Sequence, residues 1–311
     1  MSTSRSMRLL ICLTASVFFF HHHTSISATE QKIIVYMTVD WEGCSLDEEN
    51  LDSIRHFRAK HPHIPMLHLL NPVYYLRPEV DRREMTAQIR STFSPGDAQG
   101  LHLHAWKSLV ERCKVPYKST PSFARANEDC EGGECGYTVS LELAYDETEL
   151  TLLVACSTAL LVENGFDQPR YFRAGGWQFG PKLASALHTN GFMWDSSRTD
   201  ASLIADAWGE QSAMVQMLRQ LHPDASILDQ PRELLPGLMQ YPNNASLMDY
   251  TSSERLLGIF ETLIKENKTV MVMGFHQETA FVYLDNLEEA ITLMQEAAKK
   301  ANVQLEWGRY D

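Results

Sequence analysis

The chain predicts an α/β fold built on a parallel sheet or barrel, and three observations carry that prediction. Short apolar strand-like runs alternate with amphipathic helical patterns along most of the sequence. Seven or eight strand patterns are present, each followed by a helix or a long loop. The polar clusters fall just past the ends of those strands, where α/β barrels keep their sites because the loops converge on the barrel mouth.

Taken in order, residues 32–39 read as a buried strand ending at Asp40, 51–60 as an amphipathic helix, and 64–70 as a second strand closed by Asn71-Pro72. Residues 83–93 are helical and 98–104 form a third strand. From 106 to 145 the periodicity lapses into a loop rich in Pro, Ser, Gly and Cys, long enough to serve as a functional cover. A long helix over 147–164 stops at Gly165. Residues 170–173 form a strand running into Gly175-Gly176, 181–190 a helix, and 192–194 a short strand closed by Asp195. A second irregular region, 198–240, holds one helix near 210–221. The chain closes with a strand at 238–241, helix 252–266, strand 269–275 ending at His276, helix 287–301 and strand 303–307.

Residues 1–28 read as a cleaved secretory leader, with Arg5 and Arg8, an apolar run from Leu9 to Phe20, and small residues at 26–28. The apolar run is too short for a membrane span, so the expectation is an exported protein, periplasmic or extracellular, that is not an integral membrane protein. Residues 29–311 form one domain on this reading. The net charge of −13 becomes −15 once the leader's two arginines are lost, which argues against nucleic acid as a partner. Of the cysteines beyond the leader, Cys113, Cys130 and Cys135 share the polar loop, where a staple is expected, and Cys156 reads as a helix core residue.

Two stretches concentrate the chemistry. Alternate side chains of a strand share a face, so Asp40 and Glu42 point the same way, as do His102 and His104. If the two strands are neighbours, Glu42, His102 and His104 can hold a divalent metal with Asp40 beside it, and two imidazoles with one carboxylate is a set that catalytic zinc uses.

The order of motifs resembles the polysaccharide deacetylases, carbohydrate esterases with a NodB-homology domain. Thr38-Val39-Asp40-Trp41-Glu42-Gly43 is similar to that family's first motif and Gly100-Leu101-His102-Leu103-His104 to its second. Phe172-Arg173-Ala174-Gly175-Gly176, Trp194-Asp195-Ser196-Ser197 and Gly274-Phe275-His276 stand where the third, fourth and fifth lie. The resemblance implies a distorted (β/α)7-type barrel with long inserted loops, and metal-dependent hydrolysis of N-acetyl groups on a carbohydrate. It casts Asp40 as general base, His276 as general acid, Arg173 as the group orienting Asp40, and Asp195 as the group tuning His276. Glu42, His102 and His104 then hold the metal, zinc by donor type. Gly176, Trp177, Asn71 and Asn243 are the candidate substrate contacts, with Tyr74, Asn244 and Asp249 as further pocket candidates, while Glu278, two past His276, reads as a solvated loop acid before a site residue. Two departures stand out. The family spaces its second-motif histidines four apart, which would put one at Trp106, and its adjacent acid pair is opened here to Asp40-Trp41-Glu42. Rival readings are a sugar-binding protein without catalysis and a hydrolase of small cyclic amides, as in allantoinase-like members.

Overall fold

The computed structural model describes residues 31–78, 80–124, 130–131 and 134–310. The expected leader, 1–28, lies outside the described residues. Strands β1 (Lys32–Asp40), β2 (Met66–Leu70) and β3 (Ala98–Leu103) alternate with helices α1 (Glu48–Lys60), α2 (Arg82–Arg90) and α3 (Lys107–Arg112). A short ladder pairs β4 (Cys130–Glu131) with β5 (Glu134–Cys135), ahead of α4 (Leu141–Ala144) and α5 (Glu147–Glu163). Then come β6 (Tyr171–Ala174), α6 (Pro181–Thr189), β7 (Trp194–Asp195), α7 (Ser202–Trp208), α8 (Ala213–Leu221), β8 (Arg232–Leu235) and β9 (Leu238–Gln240). The chain ends with α9 (Ser253–Lys265), β10 (Val270–His276), α10 (Ala280–Ala301) and β11 (Gln304–Trp307).

The strand order β10-β1-β2-β3-β6-β7-β9 is parallel throughout, with β8 antiparallel on β9 and β11 beside the start of β1. The chain beyond β9 closes the curl. Leu247 bridges in parallel to Gly274 of β10, and the Asn244 side chain pairs with the Val270 carbonyl and the Val272 N–H at 3.0 and 2.9 Å. Side-chain hydrogen bonds here do what a ladder does elsewhere, giving the distorted seven-stranded barrel that the motif order implies.

Register decides which side chains face inward. Asp40 pairs with His276 and His102 with Arg173, and the alternation of the strands turns all four toward the barrel axis. Below them Tyr36, Tyr171, Trp194, Tyr241 and Tyr310 fill the interior through tilted and edge-on ring contacts, so the barrel is plugged and its C-terminal mouth is the open end. Helices form where signals coincide: α5 opens on a capping box between Asp146 and Glu149, and α9 on the Ser252 hydroxyl.

Several boundaries differ from the expectation. Helix α10 begins at Ala280 rather than at 287, and both α7 and the edge strand β8 lie in the region read as irregular. Cys156 is a disulfide partner, not a core thiol: it bonds Cys113 across 43 residues and ties α5 to the end of α3. Cys135 is also disulfide-bonded, and Cys130 is its ladder partner.

Candidate active site

The mouth is assembled from the ends of four parallel strands. Glu42, two residues past β1, stands opposite three imidazoles. Its Oε1 lies 3.3 Å from His102 Nε2 and 3.0 Å from His276 Nε2, and its Oε2 lies 2.5 Å from His104 Nε2. The other ring nitrogens are engaged: His102 Nδ1 faces the Arg173 carbonyl at 3.0 Å, His104 Nδ1 the Tyr137 carbonyl at 2.6 Å, and His276 Nδ1 the Asp249 carboxylate at 3.1 Å.

That pattern defines the donor chemistry. Carbonyl oxygens only accept, so Nδ1 of His102 and His104 carries the proton and Nε2 of a neutral ring offers a lone pair. Both lone pairs then face a carboxylate and each other, the two Nε2 atoms being 3.2 Å apart. Such a cluster favours a positive charge at its centre, and Glu42, His102 and His104 are a candidate set to hold a divalent cation there. The ligand atoms of these three residues lie within 4.8 Å of one another, as do those of Asp40, Glu42 and His276. Protons answer the same need electrostatically. Burial pushes the Glu42 carboxyl up, but His104 and His102 outweigh it and hold it well below the usual range. Burial likewise depresses His102, and Glu42 and Asp40 reverse that.

Asp40 accepts a 2.8 Å ion pair from Arg173 Nη1, both side chains being almost wholly buried. Arg173 also donates to Thr38 Oγ1, the Ser196 carbonyl and Ser196 Oγ at 2.9 Å each. Its fork therefore has one orientation, and Asp40 is held with it.

The Glu42 peptide is clamped from both sides. Its carbonyl accepts from Trp106 Nε1 at 2.9 Å and from the Asn71 amide at 3.1 Å, and its N–H donates to Glu278 Oε1 at 3.0 Å. Trp106, at the position where the expected four-residue spacing would put a histidine, instead fixes the backbone of Glu42. His104 faces Glu42 beside His102.

Some expected contacts fall elsewhere. Asp195 does not meet His276. It registers with Phe172 and Gln240 on the outward face of β6 and β9, where it accepts from Ser197 Oγ at 2.5 Å and from Gln240 Nε2 at 3.1 Å. Burial pushes its carboxyl up to about 6. Asp249 orients His276 in its place, anchored by the Thr279 hydroxyl. Burial works against the charged imidazole, yet Asp249 raises His276 well above its ordinary value. Asn71 and Asn243 are buried scaffolding: Asn71 serves Glu42 and caps Val73, and Asn243 accepts from Trp177 Nε1 at 3.1 Å.

Two cavities meet at Glu42, Tyr137, Tyr250 and His276. One, of about 20 Å³, also touches Asp40, His102, His104, Arg173 and Gly176, and is walled by Phe123, Trp177, Trp208, Met214 and Leu247. It has room for about one water. The other, about 450 Å³, is lined by Ser45, Trp106, Asp249, Glu278, Thr279 and Tyr283 among others. Sequence reasoning missed Tyr137, which stacks on His104 at 4.2 Å, because it sits in an aperiodic loop. Glu278 is no solvated loop acid: it also accepts from Tyr74 Oη at 2.6 Å, and burial first, then Glu42, pushes it up to about 7.

No protein-family model matches the chain, and no curated protein matches it in sequence. Among solved structures, it is similar to a candidate polysaccharide deacetylase from Mycobacterium smegmatis, at 11% identity and TM-score 0.49, covering 90% of this chain and 88% of that one. A family 4 carbohydrate esterase from Streptomyces lividans gives 10% identity and TM-score 0.42, with 90% and 93% covered. A family 4 pseudoenzyme from Bacillus anthracis gives 9% identity and TM-score 0.40, with 89% and 64% covered.

Proposed function

We propose that the chain is an exported, metal-dependent hydrolase that removes an N-acetyl group from a carbohydrate amine. The observation that carries this reading is the convergence of two fixed imidazole lone pairs on Glu42, beside an Asp40 that Arg173 holds in place. A divalent ion there, zinc by donor type, supplies Lewis acidity toward an acyl oxygen and lowers the pKa of water.

Asp40, paired with Arg173 and lining the small cavity, serves as the general base. His276 faces both cavities and acts as the acid, its far nitrogen tied to Asp249. Water adds to the acetyl carbon, the C–N bond breaks, acetate leaves, and the amine takes its proton from His276. The small cavity has room for about the attacking water, with Gly176 at its wall. Disulfides support passage through an oxidising compartment, and among the described residues no helix is long and apolar enough to cross a membrane.

The test is acetate release from a panel of N-acetylated glycans, with Asp40→Asn and His276→Ala as controls. The reading requires a stoichiometric divalent ion in the purified protein and a fall of about 100-fold or more in both variants. Release unchanged in both variants overturns the assignment, and a metal-free protein that binds glycans without releasing acetate turns it into a binding protein.

A further inference from the structure

The larger cavity is acidic and aromatic. Three carboxylates line it, Glu42, Asp249 and Glu278, with no Lys or Arg among its described lining residues, and Trp106, Tyr137, Tyr250 and Tyr283 supply its walls. Asp249 is committed to His276 and Thr279, and Glu42, whose Oε2 is likewise buried without a hydrogen-bond partner, faces the three imidazoles as ion pairs. Glu278 is half committed. Its Oε1 takes both the Glu42 N–H and the Tyr74 hydroxyl, while its Oε2 is buried and has no hydrogen-bond partner.

A buried carboxylate oxygen without a donor is costly, and the protein supplies none. Either a proton on Glu278, whose carboxyl burial and Glu42 push up to about 7, or a donor on whatever fills the cavity relieves that oxygen, and the cavity's volume of about 450 Å³ is that of a small-molecule pocket. We infer that Glu278 is a substrate-binding residue that receives an ammonium or hydroxyl group of the leaving saccharide, so that neutral and amine-bearing sugars are accepted and carboxylated ones rejected. This deepens the deacetylase reading and rests on it for the identity of the leaving group. The aromatic walls fit the apolar faces of a sugar ring, and three carboxylates against the single imidazole of His276 leave the described lining acidic, which disfavours a further anion.

Glu278→Gln is an isosteric test. A glutamine Oε1 can still accept from Glu42 and Tyr74, but an NH2 replaces the oxygen that lacks a donor, so acceptor becomes donor. In the wild type, acetate release from N,N′-diacetylchitobiose should exceed that from N-acetylmuramic acid by about 10- to 100-fold in kcat/KM, the size of one hydrogen bond to a charged group. The variant should narrow that gap about tenfold or more, chiefly through KM. Calorimetric binding of glucosamine, measured without turnover, should weaken by a similar factor in the variant. Equal wild-type rates on the two sugars, or unchanged selectivity and glucosamine affinity in Glu278→Gln, overturn the inference even where deacetylation is confirmed. Loss of glucosamine binding in the variant of a protein that deacetylates nothing upholds Glu278 and sinks the hydrolase instead. The wild-type comparison needs no variant to fold.

Discussion

The mouth of the barrel is built by two regions of different character. Asp40, Glu42, His102, Arg173 and His276 are set by strand register, each at or just past the end of a parallel strand whose neighbour fixes its height. Tyr137, Asp249 and Glu278 come from chain between the strands, and each holds a strand residue in place: Tyr137 orients His104, Asp249 orients His276, and Glu278 receives the Glu42 N–H. The barrel thus supplies the reactive groups and the inserted chain supplies their orientation. His104 depends on that help most, since it lies one residue beyond β3 and is steadied by the Tyr137 carbonyl of a loop.

The largest expected effects come from squeezing His104 from each region in turn. A Cβ on Gly175, at the end of β6, would sit 2.4 Å from the His104 ring, and a Cβ on Gly136, in the insert, 2.1 Å from the Ala105 carbonyl oxygen. Gly136 also has φ +96°, where a side chain is strained. Gly175→Ala should weaken zinc binding about 100-fold and Gly136→Ala about tenfold, the range for displaced supporting groups, as read by chelator competition. Wild-type zinc affinity in Gly136→Ala would make the insert a mere cover and dissolve the comparison.

The same division explains what the sequence made legible. Strand-borne residues announce themselves through period and position: D-x-E and H-x-H close apolar runs, and Arg173, Gly274 and His276 fall at matching strand ends. Asp195 misled because a motif gives position along a strand but not facing, and one residue of register turns it to the outer layer. Asp249 follows the Leu247 bridge, a closure of the barrel shared between a single backbone bridge and the Asn244 side chain and too short to leave a periodic trace. The missed first turns of α10 have a similar cause, since Ala280 to Asn286 follows a turn that carries Glu278 and Thr279.

An intermediate effect separates the two acids. Asp249→Asn should lower kcat about 10-fold or more, because His276 loses a charged partner at Nδ1, whereas Asp195→Asn should stay within about twofold while shifting the melting temperature. Equal losses of kcat would mean that the outward face of β7 communicates with the mouth after all.

The smallest effect concerns the aromatic cover over the small cavity. His222 lies buried at the end of α8, its Nε2 3.0 Å from the Trp177 carbonyl, and burial pushes it down to about 4. An ordinary histidine titrates near 6.5, so between pH 6.5 and 4 the unfolded chain binds the proton that the folded chain refuses. The stability this histidine contributes is therefore intact above pH 6.5 and is lost as the pH falls toward 4, by at most about 3 kcal/mol. Glutamine can place its amide near the same carbonyl without titrating, so denaturant titrations of His222→Gln should show a shallower acid loss than the wild type. If the inserted chain only holds orientation, the ratio of His222→Gln to wild-type activity at pH 5 should equal the ratio of their folded fractions, since acid titration of the metal-binding imidazoles is common to both. A larger ratio of activities would show the cover around Trp177 loosening in the wild type while the strand-borne groups stay in register, and would place the weak point of the site in the insert.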